Sequence, residues 1–137
     1  MTGKPFVWPV RVYYEETDAG GVVYHSNYLC FMERARTEWL RGLGFGQEQC
    51  RRERGLLFAV TKMEIHFLAP ARLDDTLTVS VQLLGYKQAS VTLQQSIQRE
   101  QEQRQLIQAT VRLVALNDRF KPTRLPEELV QMLCGAV

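Results

Sequence analysis

The sequence has few cysteines and no long apolar run. Its three cysteines, Cys30, Cys50 and Cys134, are widely spaced and form no C-x-x-C pair, which indicates reduced thiols rather than a disulfide framework. No segment approaches the roughly 18 to 20 apolar residues that cross a bilayer. The first residues, MTGKPFVWPV, also lack the charged and then apolar pattern of a secretion signal. We therefore expect a cytoplasmic protein that is neither secreted nor embedded in a membrane.

Charge and histidine content are also low. The formal net charge of +2 produces too weak a field to imply nucleic-acid binding. The two histidines, His25 and His66, belong to no H-E-x-x-H motif, so ligands at a spacing suited to zinc are lacking. The glycine motifs G-x-S-x-G and G-x-G-x-x-G and the Walker loop are absent as well. These absences exclude the common serine-hydrolase and nucleotide-binding classes, and we expect no metal and no cofactor.

What is present fits one domain, residues 1–137, a length at which folding removes roughly two-thirds of the chain's surface from water. Apolar residues alternate with polar ones from Phe6 onward, which is the period of a β-strand; this first strand is expected to place on one face Trp8, Val10, Val12 and Tyr14. The same alternation predicts four further strands at residues 56–68, 76–85, 89–98 and 105–116.

A long helix is predicted between the first strand and the other four. Ser26 or Asn27 can cap its start, and glycines end it near Leu43. Its apolar stripe, at spacings of three and four, consists of Tyr28, Met32, Ala35, Trp39 and Leu43. On the opposite, solvent-facing side we expect the charge pairs Glu33 with Arg36 and Arg34 with Glu38. A short terminal helix is predicted at residues 128–134.

The connections at residues 70–75, 86–88 and 99–104 are too short for parallel crossovers, so consecutive strands are expected to be antiparallel neighbours. The fold class is therefore α+β, with a sheet that wraps the apolar stripe of the helix. A single sheet of this kind leaves edges that a second copy commonly covers. We expect a homodimer or a homotetramer.

Residues able to do chemistry are concentrated just before the long helix, namely Tyr14, Asp18, Gly20, Gly21, Tyr24 and His25. The first turn of a helix carries unpaired N–H groups that stabilise negative charge on a carbonyl oxygen. A carboxylate at Asp18 could attack that carbonyl or activate water against it. The alternative is that Asp18 begins a turn shaped by the glycines, with His25 as a helix-start residue and the tyrosines as packing residues.

The run WPVRVYYEETDAGGVVYHSNY at residues 8–28, continued by FMERARTE at 31–38, resembles the signature of YbgC-type acyl-CoA thioesterases, relatives of 4-hydroxybenzoyl-CoA thioesterase. A second match is APARLDD at residues 69–75. The resemblance implies the hotdog fold, an antiparallel five-stranded sheet wrapped around one long central helix. It also implies active sites that are shared between subunits.

By this resemblance Asp18 is the catalytic carboxylate and His25 a second residue of the active site. Tyr14 is assigned to the substrate site, and backbone N–H groups near Val23, Tyr24 or His25 are expected to hold the thioester carbonyl oxygen. Asp18 would act as nucleophile, through a mixed anhydride, or as general base for water. The implied partners are an acyl-CoA or an acyl carrier protein thioester, and the resemblance also suggests an association with the Tol–Pal system or phospholipid synthesis.

Two other functions fit the same residues. A hotdog-fold dehydratase or hydratase would use Asp18 and His25 for proton transfer, and a non-catalytic module would bind an acyl chain or a protein partner. A hydrolase needs a free carboxylate beside the helix start, whereas a binding module does not. Periodicity does not predict the acyl group.

Overall fold

The computed structural model describes residues 4–136. Five antiparallel strands form one sheet: β1 (Phe6–Arg11), β2 (Leu57–Phe67), β3 (Thr76–Tyr86), β4 (Ser90–Arg99) and β5 (Arg104–Leu116). Three helices accompany it: α1 (His25–Gly42), α2 (Gln47–Arg54) and α3 (Glu127–Ala136). The α+β class, the five strands, the long central helix and the terminal helix are confirmed. Within residues 4–136 no helix combines the length and apolarity that crossing a membrane requires.

Two local elements differ from the prediction. The first strand ends at Arg11 and not at Tyr14, because the chain turns into a short 3-10 helix at Tyr14–Glu16. The side chain of Glu16 fixes this turn by accepting the backbone N–H of Tyr13 at 2.7 Å. Helix α2 was not predicted, since its one buried side chain is Cys50 and a helix without an apolar stripe gives no periodic signal.

The order of the strands also corrects an expectation. The sheet runs β1-β3-β4-β5-β2, so β2 and β3, although consecutive in the chain, are not neighbours. The connecting segment 68–75 crosses the end of the sheet, where the N–H groups of Leu68 and Ala69 donate to the carbonyl of Leu106. It has to span about three strand spacings of roughly 4.8 Å each, which eight residues do easily. Strands β1 and β2 are therefore the two edges of the sheet.

Helix α1 packs against the concave face of the sheet. Alternate residues of β3 and β4 face it and are buried, and they continue into the inward side of β5. The helix contributes the predicted stripe together with Phe31 and Leu40. The fully buried core side chains include Phe31, Met32, Leu40, Leu77, Leu93, Ile97 and Ile107.

One charged residue of α1 lies in this core and not on the solvent side. Arg36 is buried, and its Nη1 donates to Oε1 of Gln95 on β4 at 3.0 Å. The predicted pair of Arg34 with Glu38 is wrong, because Arg34 lies 3.7 Å from Glu16 and Glu38 pairs with Arg41. Glu33 acts on Arg36 through its charge, but Arg36 is buried and not on the solvent side. The buried face of α1 is therefore wider than the apolar stripe alone indicated.

Candidate active site

The segment between the 3-10 helix and α1 is a tight turn closed on itself. Thr17 and Val23 form an isolated antiparallel bridge, and the N–H of Asp18 donates to the carbonyl of Val22 at 2.9 Å. The N–H of Gly21 returns to the carbonyl of Asp18 at 3.0 Å, with a φ of 80° at Gly21. A glycine is required here, because residues with a side chain rarely adopt this backbone conformation. The turn fixes Asp18 directly before the helix start.

The carboxylate of Asp18 is exposed and held on one side only. Its Oδ1 accepts the N–H of Gly20 at 2.8 Å, and a Cβ added to Gly20 would lie 3.2 Å from the same oxygen. This is the Asx-turn geometry that the alternative reading expected. No protein donor among residues 4–136 bonds the second oxygen, so the structural role leaves Oδ2 available for chemistry.

The start of α1 is bound to two neighbouring segments. The N–H of Val23 donates to the carbonyl of Ala71, and that of Tyr24 to the carbonyl of Glu16. Of the three N–H groups expected to hold the thioester oxygen, those of Val23 and Tyr24 are therefore engaged within the protein. In the described part of the chain, the N–H groups of His25 and Ser26 have no acceptor, and these first-turn donors are the ones left for an oxyanion.

Glu16, which the sequence did not single out, and Asn27, which it indicated only as a possible helix cap, hold this arrangement together. Glu16 is buried, and besides its bond to the N–H of Tyr13 it lies near the guanidinium of Arg34. The side-chain amide of Asn27 donates to the carbonyl of Glu16 at 2.9 Å. The spacing of Tyr13 and Glu16 resembles a capping box, a signal in the sequence that predicts the turn but not its tie to α1.

A largely apolar pocket of about 390 Å³ opens beside the helix start. It is lined by Val23, His25, Tyr28, Phe67, Leu68, Ala69 and Pro70. Of the predicted site residues, His25 and Val23 lie in its wall. Asp18 and Tyr24 do not line it, although the ring of Tyr24 packs on that of His25 with centroids 4.4 Å apart. Tyr14 is 81% exposed and lies outside the pocket.

The far wall of the pocket is the segment that carries the second sequence match. Arg99 of β4 anchors it, with Nε 3.0 Å from Oδ2 of Asp75 and Nη2 donating to the carbonyl of Pro70 at 2.7 Å. The bond to Asp75 raises the pKa of Arg99, against the opposing effect of burial. An isolated bridge between Val22 and Arg72 joins this segment to the Asp18 turn. The two loops are therefore joined by backbone hydrogen bonding.

Tyr28 connects α1 to the same segment. Its phenol oxygen accepts the N–H of Ala71 at 2.9 Å, and its ring contacts Phe31 and Phe67 edge-on. Burial raises the pKa of Tyr28, against the N–H of Ala71, which acts in the opposite direction. A neutral phenol is thus held at this position, which the sequence indicated as part of the apolar stripe and as the last residue of the run at 8–28.

Comparison with known proteins agrees with this architecture. Residues 12–133 match the model of the thioesterase-like superfamily. The chain is 45% identical over 131 residues to the acyl-CoA thioester hydrolase YbgC of Escherichia coli O6:H1 (strain CFT073), covering 95% of this chain and 96% of the relative. It is 42% identical to the acyl-CoA thioesterase YbgC of Haemophilus influenzae, covering 94% of each chain.

A solved structure has the same fold. The crystal structure of a probable thioesterase from Bartonella henselae is 36% identical and superposes with a TM-score of 0.84, covering 90% of this chain and 100% of that chain. Such extended similarity, together with a hotdog sheet and a carboxylate turn before its central helix, assigns the chain to the YbgC family of the thioesterase-like superfamily.

Proposed function

We propose that this chain hydrolyses the thioester bond of an acyl-CoA, releasing the free acid and coenzyme A, with Asp18 as the reacting carboxylate. The observation that carries the proposal is the Asp18 turn. It holds one carboxylate oxygen against Gly20 and leaves the other free, immediately before a helix start whose first turn borders an apolar pocket. Family membership supports the same reaction class.

The thioester carbonyl would lie against the first turn of α1. The unengaged N–H groups of His25 and Ser26 and the positive end of the helix dipole favour negative charge on the carbonyl oxygen. The acyl group would occupy the pocket beside Val23 and Phe67, whose apolar walls suit a hydrocarbon or aromatic group. His25 lies in the same wall, which supports a contact between its side chain and the reacting group.

Asp18 acts in one of two ways on this geometry. As nucleophile, a carboxylate oxygen bonds to the thioester carbon, the thiolate of coenzyme A leaves, and water hydrolyses the resulting mixed anhydride. As general base, the carboxylate removes a proton from water, whose oxygen then attacks the same carbon. Both routes need the free Oδ2 and both lose most of their rate when Asp18 becomes an amide.

The proposal includes a homodimer formed through β2. This edge strand exposes Val60 and Phe67, and Leu68 follows directly, with exposed fractions of 45%, 53% and 53%. An unpaired edge flanked by apolar side chains is the kind of surface that a second copy covers. Because Phe67 and Leu68 also line the pocket, pairing there would let the partner close the acyl site. Association of two such dimers would give a tetramer.

We also propose a reducing location, the cytoplasm. Cys30, Cys50 and Cys134 are all free thiols, and Cys30 and Cys134 are exposed. Exposed unpaired thiols are typical of proteins in compartments that keep cysteine reduced.

The experiment is thiol release from a panel of short, long and aromatic acyl-CoA esters by the wild type and Asp18→Asn. We expect wild-type turnover and a loss of most activity in Asp18→Asn, with both proteins folded by circular dichroism. Asp118→Asn, an exposed aspartate outside the site, is the matched control and should keep its activity. Binding without turnover across the panel would instead indicate a non-catalytic module. Hydration of an unsaturated acyl-CoA, measured in parallel, would indicate a dehydratase or hydratase.

A further inference from the structure

Tyr28 lines the pocket and carries a hydroxyl that packing alone does not explain. The residue is only 3% exposed, yet it lines the pocket together with His25. Its oxygen accepts the N–H of Ala71 at 2.9 Å, which fixes where the oxygen lies. Within residues 4–136 the hydroxyl hydrogen has no acceptor. A buried hydroxyl that keeps a spare donor at a cavity wall is suited to a ligand that brings the acceptor.

The position of Tyr28 on α1 directs this donor to the helix start. Tyr28 follows His25 by three residues, so the two share one face of the helix. Helical side chains lean towards the amino terminus, which brings the phenol alongside the preceding turn. That turn holds the two unengaged N–H groups, those of His25 and Ser26.

We propose that the Tyr28 hydroxyl is a hydrogen-bond donor to the thioester carbonyl oxygen, acting beside the N–H groups of His25 and Ser26. The inference rests on the proposed thioester hydrolysis and adds a catalytic residue to it. When an oxygen of Asp18 or of water bonds to the carbonyl carbon, the electron pair moves to the carbonyl oxygen. Tyr28 stabilises that charge and keeps its own proton, and the electrons return as the C–S bond breaks and the thiolate leaves.

The surroundings keep the phenol able to donate. A phenolate could only accept, but burial raises the pKa of Tyr28, so the neutral form persists through the range in which the enzyme would act. The rings of Phe31 and Phe67 restrict the phenol from two sides. A donor that is already held in position costs little reorganisation free energy during the reaction.

Tyr28→Phe is the test, because it removes one oxygen and retains the ring contacts. We expect kcat to fall by about 100-fold, the size seen when one oxyanion donor is removed, with little change in KM. Tyr86→Phe, which removes a hydroxyl bonded to Cys134, is the matched control and should keep wild-type kcat. A Tyr28→Phe enzyme with wild-type kcat would overturn the proposal.

A second variant separates the hydroxyl from its structural bond to Ala71. Arg99→Gln loosens the same segment, through Asp75 and Pro70, and keeps the phenol oxygen in place of removing it. It also removes a charge that lowers the pKa of Tyr28, so the phenol stays neutral in this variant. We expect the loss of kcat in Arg99→Gln to be much smaller than in Tyr28→Phe at a comparable loss of stability. An equally large loss in Arg99→Gln would assign the effect to loop anchoring and overturn the proposal.

A spectroscopic measurement tests the contact without turnover. A non-hydrolysable ketone analogue of an acyl-CoA, with CH₂ in place of sulfur and ¹³C at the carbonyl, is bound to the wild type and to Tyr28→Phe. We expect a downfield carbonyl resonance in the wild type that moves upfield in the variant. An unchanged resonance with bound analogue would overturn the role of Tyr28 and leave the proposed hydrolysis intact. If the wild type hydrolysed none of the esters, the proposed hydrolysis itself would be overturned.

Should Tyr28→Phe not fold, 3-fluorotyrosine at position 28 replaces it in the same experiment. Fluorine makes the phenol a stronger donor and retains its bond to Ala71. The carbonyl resonance of the bound ketone is then expected to move further downfield, and no movement would overturn the proposal.

Discussion

The buried pair of Arg36 and Gln95 allows a quantitative prediction about stability. Gln95 is fully buried; its Oε1 accepts from Arg36 at 3.0 Å, and its Nε2 donates to the carbonyls of Met32 at 3.1 Å and Ser80 at 3.3 Å. Burial lowers the pKa of Arg36, with Glu33 acting in the opposite direction. The guanidinium is thus desolvated, and a neutral amide is its bonded acceptor within the core.

Gln95→Leu removes that acceptor and leaves the charge where it is. A hydrogen bond to a charged group contributes about 1.5 to 3 kcal/mol, and an acceptor lost from a buried donor costs its full desolvation. We therefore expect Gln95→Leu to lower the free energy of unfolding by about 3 kcal/mol. In the double variant Arg36→Met with Gln95→Leu both polar groups are gone, and an apolar pair of similar volume should bring stability back to within about 1 kcal/mol of the wild type.

The assay is urea unfolding followed by circular dichroism, at one protein concentration because association of copies would shift the midpoint. Single and double variants form a double-mutant cycle. Gln94→Leu, the neighbouring position on the solvent-facing side of β4, is the control and should change stability by no more than about 0.5 kcal/mol. Additive single effects, with the double variant the least stable, would refute the reasoning.

Two further predictions concern the turn and the sheet edge. Gly21→Ala should lower the free energy of unfolding by about 1 to 2 kcal/mol through its backbone conformation alone, since a Cβ would meet nothing within 4 Å. It should also reduce thiol release. The control Gly42→Ala, at the end of α1, should do neither. Val60→Asp on β2 should convert dimers to monomers in analytical ultracentrifugation and lower activity, whereas Val7→Asp on the opposite edge, 54% exposed, should leave the dimer intact. Monomers with full activity would contradict a shared site.

The strands β3, β4 and β5 were predictable because each buries one face. In β5, for example, Ala109 and Val111 are buried and their neighbours Thr110 and Arg112 are exposed, and this alternation is visible in the sequence. That alternation does not determine the order of the strands in the sheet. From its apolar pattern β2 could pair with β3 as well as with β5. The register of Met63 with Val111 shows that it pairs with β5. Short loops favour neighbours but do not require them.

The candidate site was predictable where its signal is local. The Asp18 turn depends on glycines two and three residues away, and both the spacing and the family resemblance indicated it. Tyr28 was visible as one apolar position in a helical stripe and as the end of the run at 8–28. The role of its hydroxyl was not, because the bonded partner, Ala71, lies 43 residues away. Arg99 likewise anchors a segment 24 to 29 residues before it. Contacts between residues so far apart in the chain leave no periodic signal in the sequence.

The helix start shows how local and distant effects combine. Every helix has unpaired N–H groups in its first turn, so the sequence predicted oxyanion donors near Val23, Tyr24 or His25. Which donors remain free depends on the tertiary contacts, since Ala71 and Glu16 accept from the first two residues. The bonds that remove these donors also pin the Asp18 turn to α1. The N–H donor of His25 would be held rigidly for the same reason. Weakening the bonds to Ala71 and Glu16 should therefore make the donor positions less rigid and should not add useful donors to the site.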